Sequence, residues 1–195
     1  MLILSGFIFC SLATLNTPLL KRIEEELNNV SSLETRFVHE DSTGKHYAGT
    51  LYLKRSWKMR MAYDTPSPFL IVSDGQSLIY EDQTTHEAVY LPLETSPLSF
   101  ILDTHTDFQK VLHIDKIVRN GDEILIYAKD KKNYFSLILQ YSLKEKSILG
   151  WISKDAQGNE VTIKLQNIRK NIVLEDKLFV FQQKPRWLNK ARDKK

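Results

Sequence analysis

Residues 49–75 read GTLYLKRSWKMRMAYDTPSPFLIVSDG, and the reading of this stretch decides the fold. Three short runs, Thr50–Leu53, Lys58–Tyr63 and Leu70–Val72, are rich in leucine, aromatic or β-branched residues and read as strands. Thr65-Pro-Ser-Pro68 is a stiff connection between the second and third. Asp74-Gly75 then signals a tight turn, because the central residues of a two-residue hairpin take positive φ. Side chains alternate along a strand, so the face that carries Leu51 and Leu53 also receives Arg55. A cation on an apolar face must find acceptors. The unsatisfied carbonyls at the end of a short helix are natural ones, which suggests a latch between sheet and helix. Lys54, Lys58 and Arg60 read instead as solvated charges.

Working outward, further turn signals stand at Ser42-Thr43-Gly44, Asn120-Gly121, Lys131-Lys132-Asn133, Lys144-Glu145-Lys146 and Gln157-Gly158-Asn159. Period-two patterning begins near residue 34. Beyond the opening stretch, strands are expected at Leu78–Tyr80, Val89–Leu91, Ile124–Ala128, Tyr134–Tyr141, Ile148–Ser153, Val161–Gln166 and Leu178–Phe181. The total is about ten or eleven antiparallel strands. No strand–helix–strand alternation appears, which argues against a parallel sheet. Ahead of them, Thr17-Pro18 opens a helix over roughly 17–31, with Leu19, Leu20, Ile23, Leu27 and Val30 at helical spacing. A second, short and apolar helix is expected over Ser96–Asp103, where Leu98, Ile101 and Leu102 share a face. Val161, Ile163 and Leu165 alternate with polar residues, the mark of a sheet wet on one side. Ile124–Ala128 and Tyr134–Tyr141 are apolar on both faces, so both faces are expected to be covered. One large antiparallel sheet with two short helices covers its concave side by curling around them. Such a sheet either fills with side chains or encloses a ligand cavity, and both remain open here.

The chain has 195 residues, enough for one domain and a short appendage. Its 42% hydrophobic and 26% charged composition excludes intrinsic disorder. Net charge is +3, but residues 184–195 hold six basic residues and one acidic, leaving the rest of the chain at −2. The body therefore lacks the basic excess of a nucleic-acid reader. The basic tail, residues 182–195, either meets acidic headgroups or an acidic partner, or is a solvated terminus. Residues 1–13 read as a secretory signal peptide, uncharged and apolar but too short to span a bilayer. The one cysteine, Cys10, excludes a disulfide framework, and Phe9 before it argues against lipid attachment. The five histidines show no metal-binding spacing, and His39-Glu40-Asp41 reads as a surface cluster. No nucleophile elbow, phosphate loop or dinucleotide fingerprint is present, so no catalytic residues, metal or cofactor are expected. Phe37, Trp57, Tyr63 and Phe135 are taken as core packing rather than as a base-stacking platform.

Leu33-x-x-x-Phe37, Gly49–Arg55, Arg60-Met-Ala-Tyr63, Pro66-x-Pro68 and Ile71–Gly75, in this order, resemble the LolA family of periplasmic lipoprotein carriers, in its alphaproteobacterial branch. Ser96-Pro97-Leu98, Asp155-x-x-Gly158 and Leu178-Phe179 fit the same frame, so the resemblance covers residues 20–181. It implies a mainly β fold, an incomplete and strongly curved antiparallel β-barrel whose N-terminal helix and short lid helix enclose a hydrophobic cavity. The carrier domain would span 14–181. The family's lid-latching arginine matches Arg55, with lid contacts at Leu27, Ile101 and Leu102. Leu51, Leu53, Met59, Met61 and Tyr63 would line the acyl-chain cavity. One departure is that proline usually follows the family's arginine, and Ser56 stands there. The implied function is a periplasmic chaperone for lipoprotein transport in outer-membrane biogenesis, a monomer that binds lipoprotein acyl chains. It would receive them from an inner-membrane lipoprotein-releasing ABC transporter and deliver them to an outer-membrane acceptor or the outer membrane itself. Alternatives are that acceptor, a binding protein for another lipid or amphiphile on the same fold, and a barrel-based hydrolase.

Overall fold

The computed structural model describes residues 17–183. The signal peptide expected over 1–13, with Cys10, and the basic run 184–195 lie outside the described residues. Helix α1 (Thr17–Asn28) is followed by β1 (Ser32–Glu40), β2 (His46–Lys54), β3 (Lys58–Tyr63), β4 (Phe69–Asp74), β5 (Leu78–Asp82) and β6 (Glu87–Leu91). A 3₁₀ turn at Leu93–Thr95 leads into two single-turn helices, α2 (Ser99–Leu102) and α3 (Phe108–Val111). The chain then returns to strands: β7 (Leu112–Asn120), β8 (Glu123–Asp130), β9 (Phe135–Ser142), β10 (Ser147–Asp155) and β11 (Glu160–Lys170).

These 11 strands form one curled sheet in the order β6-β5-β4-β3-β2-β1-β11-β10-β9-β8-β7, joined throughout by antiparallel pairs. The two hairpin runs meet where β1 pairs with β11. β6 and β7 stand at opposite ends of the order, so the barrel is incomplete, as expected. The turns fall where the sequence places them. Gly121 takes φ 60 in the two-residue connection of β7 to β8. The Asp74-Gly75 turn is longer than a two-residue hairpin. The Asp74 carboxylate accepts the N–H groups of Gln76 and Ser77 at 2.8 and 2.9 Å, which stabilises a wider loop.

Several boundaries differ from expectation. α1 stops at Asn28 rather than 31, because the Asn28 amide is engaged by the loop at Thr106. The helix expected over 96–103 contracts to Ser99–Leu102, with Ser96 Oγ accepting the Leu98 N–H ahead of it. Strand β7 is an addition to the expected set, because the polar His113, Asp115 and Lys116 break its apolar run. Leu178–Phe181 is not a strand: Asp176–Phe179 is a 3₁₀ turn in a strap that crosses the outer face of β3 and β4. Phe179 is buried there, as are the outward-facing Val72 and Ile79. Asp176 anchors the strap to Lys54 and Lys58 at 2.7 and 3.0 Å.

The main core fills the concave side. Leu20, Ile23 and Leu27 of α1 and Phe100, Ile101 and Leu102 of α2 pack in one cluster with the inner residues of both hairpin runs. The expectation of two covered faces on β8 and β9 is not met. Ile124, Ile126, Leu137 and Leu139 are buried inside, but Leu125, Tyr127 and Ile138 are half-buried outside. Cross-strand pairing of Tyr127 with Ile138, and the Lys116 ammonium 4.2 Å from the Tyr127 ring centre, shelter that outer face without a covering layer.

Gly49 shows how tightly the β1–β2–β3 region is built. A Cβ there would lie 2.3 Å from the Ala62 carbonyl oxygen and 2.6 Å from Cζ of Phe37, whose ring lies over the glycine. Gly49→Val is expected to lower the unfolding free energy by about 1–3 kcal/mol, read as a lower denaturant midpoint at unchanged m. An unchanged midpoint would mean that the Ala62 carbonyl and the Phe37 ring both give way freely.

Candidate functional site: a covered apolar face pinned by Arg55

Register builds the site. Leu51 pairs with Met61, Leu53 with Met59 and Gly49 with Tyr63, so these residues share the inner face of β2 and β3. Leu51, Leu53, Met59 and Met61 are buried, and they join Leu27, Ile101 and Leu102 in one cluster. Tyr63 is half-buried at its margin, edge-on to Phe37 at 5.0 Å. The residues expected together from the sequence are therefore brought together.

The question of filling or cavity has an answer for this closed form. The gap between the helices and the sheet, bordered by Leu27, Leu53, Leu98, Ile101 and Trp151, amounts to about 30 Å³, room for about one water. An apolar guest enters this space only if the helices move or the wall side chains repack. A wider recess of about 430 Å³ lies further along the inner face, among Tyr63, Phe69, Ile71, Tyr80 and Val89. Sequence reasoning missed Phe69 and Tyr80 as part of this face, and it misplaced His39. The imidazole belongs to no surface cluster: it is half-buried, with Nδ1 2.8 Å from the Tyr63 hydroxyl. Burial pushes its pKa down, against the opposing pull of Asp41, so the ring is neutral near pH 7. Counting by twos from Phe37 would have placed it here. Asp41 instead organises the β1–β2 turn, accepting from Thr43 and Lys45, and its carboxyl is lowered to about 2 chiefly by the Thr43 hydroxyl.

Arg55 occupies the turn after β2. Its Nε donates to the Val30 carbonyl, Nη1 to the Asp103 carbonyl and Nη2 to the Leu27 carbonyl, each at 2.8 Å. Nη2 also donates to Thr106 Oγ1 at 3.0 Å. Leu27 lies in the last turn of α1 and Val30 just beyond it, while Asp103 and Thr106 follow α2, so one side chain spans both covering elements. Helix C-termini leave carbonyls unsatisfied and carry partial negative charge, which explains the choice of acceptors. All four acceptors are neutral oxygens. Burial lowers the Arg55 pKa, with the Asp103 carboxylate opposing, yet a guanidinium stays charged at any physiological pH. The backbone adds to the tie, since Arg55 N–H donates to Ser31 O at 3.0 Å and Trp57 N–H to Leu102 O at 2.6 Å. Trp57 stands at φ 63 in this turn.

A second set of bonds joins the covering elements to each other and was not legible in the sequence. Asn28 Oδ1 accepts from Thr106 N–H at 2.7 Å, and Asn28 Nδ2 donates to Thr106 O at 3.1 Å. The Glu24 carboxylate accepts the Phe108 N–H at 2.8 Å. On the other flank, the Tyr141 hydroxyl donates to Glu26, which also meets Arg22 at 3.2 Å. Burial works against ionisation of Glu26, but these hydrogen bonds prevail and hold its pKa below 4.5.

The family model described as outer membrane lipoprotein carrier protein LolA matches residues 28–182. An uncharacterized protein of Rickettsia prowazekii is 24% identical over 165 residues, covering 84% of this chain and 76% of the relative. An outer-membrane lipoprotein carrier protein of Chromobacterium violaceum is 29% identical over 140 residues, covering 69% of this chain and 67% of the relative. Among solved structures, an uncharacterized conserved protein of Thermus thermophilus superposes with a TM-score of 0.50 at 12% identity. That match covers 86% of this chain and 94% of the other, a likeness of fold.

Two outcomes are expected from this geometry. One charge-assisted hydrogen bond is worth about 1.5–3 kcal/mol, so Arg55→Leu should speed amide exchange in α1 and residues 99–106 about tenfold or more, leaving β8–β10 protected. Arg55→Lys, which keeps the charge but loses the planar fork, should fall between the two. Equal protection in all three proteins would show that the guanidinium does not hold the cover. Because the folded pKa of Glu26 is lowered, its contribution is fully present above about pH 4.5 and fades as pH falls through the folded value. Glu26→Gln should therefore remove part of the acid sensitivity of α1 exchange, and an unchanged profile would discount this bond.

Proposed function

The chain belongs to the LolA family of outer-membrane lipoprotein carriers, and from that premise we propose that it is a periplasmic carrier of lipoprotein acyl chains. The observation that carries the reading is the covered apolar face held shut by a cation whose four acceptors are all neutral oxygens. Arg55 is the latch, and Leu27, Ile101 and Leu102 are the underside of the lid. Leu51, Leu53, Met59, Met61 and Tyr63 form the wall that receives the chains. Flexible thioethers suit a wall that must refit to different guests.

The energies support transfer by handover. Burying a methylene is worth about 0.8 kcal/mol, so one chain of about 15 carbons is worth on the order of 10 kcal/mol before the cost of opening. Escape into water is then very slow, and release requires a second apolar site in contact with the first. The lid competes on equal terms: its own leucines and isoleucines must leave the wall as acyl chains enter, so closed and loaded states exchange one apolar packing for another. An inner-membrane lipoprotein-releasing ABC transporter is the expected donor, and an outer-membrane acceptor or the outer membrane itself the receiver. The protein acts as a monomer and not as an enzyme.

The decisive experiment mixes purified protein with spheroplasts that have made labelled lipoproteins. Label is expected in the supernatant as soluble one-to-one complexes. If the protein is folded and no label is released, the lipoprotein reading fails, and native mass spectrometry would then look for a smaller amphiphile. Arg55→Leu is expected to fold and accept cargo but to pass it on about tenfold or more slowly, because the open, cargo-bearing form loses its competing closed state. Transfer at the wild-type rate would remove Arg55 from the handover.

A further inference from the structure

We propose that the open recess beyond the lid is a binding site for an organic cation, an alkylammonium head carried on an apolar chain. Strand register lays two rows of side chains across the inner face there. One row runs Met61, Ile71, Tyr80, Val89, each paired with the next. The row beside it runs Tyr63, Phe69, Asp82, Glu87, in which Phe69 pairs with Asp82 and Asp82 with Glu87. The first row is apolar or aromatic throughout, and the second changes from aromatic to acidic halfway along. The recess of about 430 Å³ lies over both, from Tyr63 to Glu87. That volume falls within the range of about 300–1,000 Å³ typical of small-molecule sites.

The lining selects the charge of the guest. Phe69 and Tyr80 are 41% and 39% exposed, so their rings are open to an entering group. The Phe69 ring stands at 83° to Tyr63 and at 67° to Tyr47, with centroids 6.1 and 6.0 Å apart. Ring faces set at such angles make a corner, and an alkylammonium is drawn to them by the negative face of each π-system. At the end of the same row, Asp82 and Glu87 stand directly opposite each other, a like-charge pairing that weakens a sheet and that a cation relieves. Asp82 is held at this rim by its own turn, where Oδ1 accepts the N–H groups of Thr84 and Thr85 at 2.7 and 3.3 Å. These bonds fix the carboxylate without neutralising it. Glu81 takes no part, since it alternates to the outer face with Ile79 and meets His86 at 3.6 Å. His39, neutral because it is buried, brings no positive charge to oppose the guest. From the head, an apolar chain runs over Ile71 toward Met61, where the recess joins the covered wall. The site does not depend on the carrier reading, because its chemistry is that of a cationic head whatever else the wall receives.

The test is calorimetric titration of the cargo-free protein with octyltrimethylammonium, set against octyl sulfate and octanol, which share the chain and differ in the head. Saturable one-to-one binding of the cation is expected, at least tenfold tighter than either comparison. Asp82→Asn with Glu87→Gln should weaken it about tenfold, while the asparagine oxygen still accepts from the turn. Tyr80→Leu should weaken it about fivefold and Tyr80→Phe should preserve it. Melting temperatures of all the variants show whether the fold is intact. Equal binding of the three probes, or preference for the sulfate, overturns the proposal. Cation binding that survives both the carboxylate and the Tyr80→Leu changes lies elsewhere and overturns it as well. Cation binding without lipoprotein release counts against the carrier reading alone, and release without cation binding counts against this site alone.

Discussion

A charged side chain that leaves water must be repaid locally, and in this molecule the repayment organises the whole concave side. The Arg55 guanidinium reaches carbonyls at the end of α1 and beyond α2, so those two segments must arrive at one point for the cation to be satisfied. Their arrival sets the apolar undersides of both helices over Leu51, Leu53, Met59 and Met61. The bonds are individually modest, because each replaces a bond to water. They are collectively directional, because a planar fork accepts few arrangements. A carboxylate partner would have made a pair costly to break. Neutral carbonyls give a closure that is specific in geometry and moderate in strength.

The asymmetry of the interior follows from this closure. Under the helices the wall is packed to within about one water of complete filling. Beyond their reach the same face opens into an aromatic recess with His39 and Tyr63 on its floor. Side chains of the chain itself thus occupy the space that the carrier reading assigns to a guest, and the protected, empty form needs no dry void. That arrangement also keeps the empty protein from presenting a large apolar patch to water.

Much of this was legible because it depends on local rules. Two-residue periodicity gave Leu51, Leu53 and Arg55 a common face, and turn residues such as Asn120-Gly121 located the hairpins. What was not legible depends on partners distant in sequence. Asn28 looks like a weak helix end until Thr106, 78 residues away, supplies both donor and acceptor. Leu178-Phe179 has strand-like composition, but no strand among the described residues pairs with it, and Phe179 is instead pressed onto the outer face of an existing sheet. β7 escaped notice because an edge strand exposed on one side carries charges where a central strand would carry valines. His39 was misjudged because its neighbours in sequence are acidic, whereas its neighbours in space are Tyr47 and Tyr63.

The strap has a consequence for mechanics. A vessel whose contents come and go needs a wall that keeps its curvature when the contents are absent. Across β3 and β4 the wall has its own backing: Val72, Ile79 and Phe179 form a small second core on the convex side, bolted down by Asp176 between Lys54 and Lys58. This backing owes nothing to what lies in the concavity. Whatever repacks on the concave side, the convex side of these strands stays clamped, so β3 and β4 can meet a different filling without losing their shape.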